Sequence, residues 1–99
     1  MKKKYAFFLM GSEFHTETDT AVFETAEMQS YIYTVNNLKQ AVQQAKVCLQ
    51  QGVGAIELCG AFGAEGAEKI IEATQYKIAV GYVVHNPEQE PLFTAFFNK

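Results

Sequence analysis

The stretch Gly52-Val53-Gly54-Ala55-Ile56-Glu57-Leu58-Cys59-Gly60-Ala61-Phe62-Gly63-Ala64-Glu65-Gly66 decides the fold. Its first half, residues 53–59, is a short apolar run that reads as a strand. Gly60 to Gly63 turns the chain. Ala64, Ala67, Ile70, Ile71 and Thr74 then recur at helical spacing, which predicts a helix over 64–74. On the amino-terminal side, Leu38, Ala41, Val42, Ala45, Cys48 and Leu49 share one face of a helix over 36–51. Lys39, Gln40, Gln43, Gln44 and Lys46 cover its other face. Asn36 or Asn37 caps its start, and Gly52 sits where a left-handed cap ends it. On the carboxyl side, residues 77–84 read as a further strand. Short loops between strand, helix and strand imply right-handed parallel crossovers.

Working outward, residues 4–10 form a continuous apolar run bounded by Gly11, as a buried strand would. Residues 11–19 are polar and read as a loop. Residues 20–25 and 29–35 suit two strands joined through Ala26-Glu27-Met28, although that turn lacks Asn-Gly or Asp-Gly. A short helix over 19–28 competes with this hairpin. Asn86-Pro87 and Glu90-Pro91 mark a loop before the apolar Leu92-Phe93-Thr94-Ala95-Phe96-Phe97. The expected fold is α/β: one compact domain over 1–99, a mainly parallel sheet of about four strands, two crossover helices and a possible extra hairpin at 20–35. The chain of 99 residues is too short for the eight strand–helix units of a complete (β/α)8 barrel.

Composition narrows the function. A net charge of −3 offers no basic field for nucleic acid. No apolar run approaches the ~20 residues of a membrane span. Met1 to Lys4 followed by Tyr5 to Met10 mimics a signal peptide, but the apolar stretch is short and no small-x-small cleavage site follows. Cys48 and Cys59 have neither metal-ligand nor disulfide-framework spacing, so a reduced, cytoplasmic protein is expected. The aromatic end of the chain and the thin core of so small a domain point to a homo-oligomer, unless that end covers its own sheet.

Ligands of parallel sheets bind beyond the carboxyl ends of the strands. There the sequence places Ser12, Glu13 and His15, then Asn36 and Asn37, then Cys59 and the Gly60–Gly63 turn, then His85. The G-x-x-G-x-x-G spacing from Gly60 to Gly66 is neither a dinucleotide fingerprint nor a P-loop, and no cofactor is expected. It suits either an anion at a helix start or close helix–sheet packing, and Glu65 opposes a phosphate there. Glu57 stands inside an apolar strand. If buried, it needs a partner or works as an acid/base or ligand-orienting group; otherwise it is ion-paired or exposed at an edge. His85 is a candidate base or a surface residue. Cys59 is a candidate nucleophile or a packed core residue, and His15 is a weaker candidate still. Tyr31 and Tyr33 suit cross-strand packing better than a stacking platform. No metal-ligand spacing occurs.

The segment Ile56-Glu57-Leu58-Cys59-Gly60-Ala61-Phe62-Gly63 resembles the most distinctive part of a small prokaryotic family of about this length, classed only as a domain of unknown function. The likeness runs from Tyr5-Ala6-Phe7 through Val80-Gly81. The family's last strand continues into a basic residue and an Asp, where this chain has Val84, His85 and Asn86. The resemblance implies no activity.

The residues therefore lead to a protein that binds a small anionic ligand. Gly60, Phe62, Gly63, Ser12 and Asn36 would line the site, with Glu57 and His85 beside it. An isomerase- or lyase-like enzyme using Glu57 and His85 is the first alternative. An oligomeric interaction protein without catalysis is the second.

Overall fold

A computed structural model describes residues 2–98; Met1, the first residue of the basic amino-terminal group, lies outside them. Five strands form one sheet in the order β2-β3-β1-β4-β5. They are β1 (Lys3–Met10), β2 (Ala21–Glu24), β3 (Met28–Val35), β4 (Ala55–Leu58) and β5 (Ala79–Tyr82). β3, β1, β4 and β5 run parallel, and β2 is an antiparallel edge strand on β3. The helices are α1 (Leu38–Gln51), α2 (Gly63–Ala73) and α3 (Glu90–Phe97), the last preceded by a 3-10 turn over Pro87–Gln89.

Local chemistry accounts for these bounds. Asn37, in extended backbone, accepts the Gln40 N–H at 2.9 Å and starts α1 one residue after Asn36. Gly52 ends it at φ 84°, its N–H meeting the Cys48 and Leu49 carbonyls. The β2–β3 turn has no glycine. Thr25 does the work: its Oγ1 accepts the Met28 N–H at 3.1 Å and the Glu27 N–H at 3.3 Å. Residues 21–28 are thus a hairpin, not the competing helix. β4 and β5 are shorter than the apolar runs that signalled them. Val53 and Ile78, at the ends of those runs, are buried in the approaches to the strands.

One face of the sheet is covered. Ala6, Phe8, Ile56 and Leu58 are fully buried, paired in register across β1 and β4. α1 and α2 pack against each other over them, contributing Ala41, Ala45, Cys48, Ala67 and Ile70. Burial pushes the Cys48 thiol up to about 11. Tyr31 and Tyr33 stack on the same side, with ring centroids 5.5 Å apart.

The opposite face has no helix layer. It carries Tyr5, Phe7 and Leu9 of β1, Ser30 and Ile32 of β3, Ala21 and Phe23 of β2, Ala55 and Glu57 of β4, and Ala79 and Gly81 of β5. Glu57 is therefore exposed, contrary to the expectation that both faces of a central parallel strand are covered. Two crossover helices lie on one side, and the β1–β3 connection is a hairpin strand rather than a helix.

Candidate functional site

The loops after β1 and β4 leave the sheet in opposite directions, one towards β2 and β3, the other towards α2 and β5. Such divergence opens a crevice at the carboxyl edge. A cleft of about 420 Å³ lies there. Leu9, Met10, Phe14, Ala61, Phe93 and Phe97 give it an apolar wall, and Glu13, Cys59, Gly60 and His85 supply its polar groups. A larger but more open depression of about 570 Å³ beside α1 is lined chiefly by uncharged polar residues, Gln40, Gln43 and Gln44 among them, with Lys39 its single charged group.

His85 is the best-defined group of the cleft. Its Nδ1 lies 2.7 Å from Glu90 Oε1, and its ring stacks on Phe93 with centroids 3.6 Å apart. A carboxylate only accepts, so Nδ1 carries the shared hydrogen and the tautomer is set. Nε2 lies against Gly60, where an added Cβ would come within 3.3 Å of it. Among the described residues Nε2 makes no hydrogen bond to protein. The Cys59 Sγ accepts the Met10 N–H at 3.4 Å, which ties the end of β4 to the end of β1.

Only some of the expected site residues meet here. Gly60 and His85 do. Glu57 does not line the cleft: it stands on the open face, where Tyr5 Oη donates to its Oε1 at 2.6 Å. Burial, followed by the hydrogen bond and charge of Glu57, raises Tyr5 to about 12. Phe62 is a buried core residue, and Gly66 packs on it, with an added Cβ only 3.1 Å from Phe62 Cβ. Close packing therefore explains this half of the glycine cluster. Gly63, at φ 64°, starts α2 away from the cleft. Ser12 is exposed and does not line it. Asn36 spends both amide hydrogens on Gly11 and Phe14 carbonyls, at 3.1 and 2.8 Å, and so fixes the loop after β1. His15 lies in an exposed loop, its N–H donating to Asp19.

The sequence reading missed Glu90 and Phe93. A spacing of five residues matches neither helical nor strand neighbours, so the pair with His85 left no periodic trace. Pro87 and Pro91 were a usable signal, since each opens a helical turn. The described residues contain no group of three metal-ligating side chains. None of their helices is long and apolar enough to cross a membrane.

Fold and cleft define a small α/β protein with a mainly parallel sheet, one covered sheet face and a crevice at the carboxyl edge. The chain belongs to the family of unknown function DUF6506, whose model matches residues 3–98. No curated protein and no solved structure matches it.

Proposed function

We propose that the protein binds a small, weakly acidic and mostly apolar molecule in the carboxyl-edge cleft. The observation that carries this reading is His85. Glu90 and Phe93 hold its ring, and among the described residues its Nε2 has no protein partner at the wall of a mostly apolar cavity. With the hydrogen on Nδ1, neutral His85 accepts a proton or a hydrogen bond at Nε2. A carboxylate entering the cleft would share with Nε2 one proton, taken from solvent, in a charge-assisted hydrogen bond. The carboxylates of Glu13 and Glu90 disfavour a multiply charged anion, so phosphate fits worse than a monocarboxylate. The apolar part of the ligand would meet Leu9, Phe14 and Phe97.

An acid/base enzyme is the second reading. His85 oriented by Glu90 has the layout of a general base, and Cys59 shares the cleft. Glu57 would take no part, because it stands on the open face.

One titration tests both. Phenylacetate, hexanoate and inorganic phosphate are added separately to 15N-labelled protein. The two monocarboxylates should move the amide signals of Met10, Gly60, Ala61 and His85 saturably, and phosphate should not. His85→Ala should keep a dispersed spectrum and weaken binding by roughly ten- to a hundredfold. Shifts that survive His85→Ala, or that cluster elsewhere, overturn the reading. Conversion of an added acid during the titration would mark the enzyme.

A further inference from the structure

α3 is eight residues long and none of them is buried. Leu92, Phe96 and Phe97 are 65%, 65% and 72% exposed. Isolated helices of this length are marginal in water, so α3 needs a surface to lie on. The open sheet face lacks a covering layer, and Phe23 on it is 61% exposed. The two surfaces are contiguous, because Leu9 belongs to the open face and lines the cleft together with Phe97.

Area decides what this patch needs. At the observed exposures, four phenylalanines (23, 93, 96 and 97) present on the order of 450–500 Å². Leu92, Val83 and the half-buried Phe7, Leu9 and Ile32 bring the total to roughly 750 Å². Monomers seldom leave a continuous apolar patch beyond ~300–600 Å², whereas each partner of a standard interface contributes ~800 Å². Neither α3 nor the sheet face reaches that figure alone; together they come close.

From this we propose that the open sheet face and α3 form one interface that takes a second copy of this chain in a two-fold dimer. The aromatic helix of each copy lies against the sheet face of the other. An isologous contact of this kind covers both surfaces at once and closes, leaving no free patch for further growth. Glu57 lies within this face, in register between Phe7 of β1 and Gly81 of β5, and Tyr5 Oη donates to one of its carboxylate oxygens, so the contact takes in a carboxylate that already has a partner. Leu9, Phe93 and Phe97 belong to both the patch and the cleft, whereas Phe23 and Phe96 do not line the cleft, so substitutions at these two test the interface apart from the ligand.

The test is the solution mass of the full chain by light scattering, for wild type, Phe23→Glu and Phe96→Glu, each checked by circular dichroism. Both side chains are exposed, so neither change disturbs the core. Wild type should show twice its 11.1 kDa over a wide concentration range. Each variant should run as a folded monomer. A monomeric wild type overturns the proposal. So does a dimer that survives either substitution, because both halves of the patch must be required.

Discussion

Tyr5 shows how one open sheet face changes a residue's chemistry. Its hydroxyl donates to Glu57, and its ionisation is pushed up to about 12 by burial first and Glu57 second. The unfolded tyrosine ionises near its model value of 10.0. The folded protein thus holds this proton more tightly. The resulting stability is complete below pH 10 and drains away as pH rises towards 12. Tyr5→Phe should therefore flatten the alkaline limb of a urea-stability profile between those pH values and leave the neutral region within about 1 kcal/mol. An unchanged alkaline limb would show that Tyr5 does not carry it. Glu57 was legible as an oddity within an apolar strand, but its exposure was not. That depends on which side the crossover helices occupy, which no residue in β4 encodes. His85 was legible as a polar residue at a strand end. Its partner Glu90 was not, because the turn at Pro87 brings them together outside any regular spacing.

At the scale of elements, α1 was readable from end to end because both of its ends carry chemical signals, Asn37 and Gly52. The hairpin was ambiguous because its turn relies on a threonine hydroxyl instead of glycine. Thr25→Val keeps the branched shape and removes the acceptor. It should speed amide exchange in β2 by roughly tenfold, equivalent to ~1.4 kcal/mol, while β1 and β4 stay protected. Equal acceleration across all strands would mean that the hairpin does not open separately. Leu92 to Phe97 gave no basis for choosing helix over strand. It is apolar nearly throughout, so neither period stands out.

For the whole molecule, the core lies between one sheet face and two helices, and α3 stands outside it. A chain ending after Asn86 loses no buried residue of the 3-10 turn or of α3. It should lose from its circular dichroism spectrum only the helical signal of α3, and lose no more than about 1 kcal/mol of stability relative to the monomeric Phe96→Glu chain. Collapse of the shortened chain would show that α3 is part of the fold. The fold class was legible from the middle of the chain, where strands and helices alternate with short loops. The assembly of the cleft was not, since it joins the ends of β1 and β4 to a helix near the end of the chain. The sheet order has a further consequence in time. β1 precedes the other strands along the chain, yet it occupies the centre of the sheet and pairs with β3 and β4, which follow some 25 and 50 residues later. Until β3 and then β4 have been made, the apolar run Tyr5 to Met10 lacks one or both of its neighbours. Distant parallel pairing of this kind is slow to form. This apolar central strand is thus made before both of its partners, and the growing chain is most exposed to misassociation before β4 emerges.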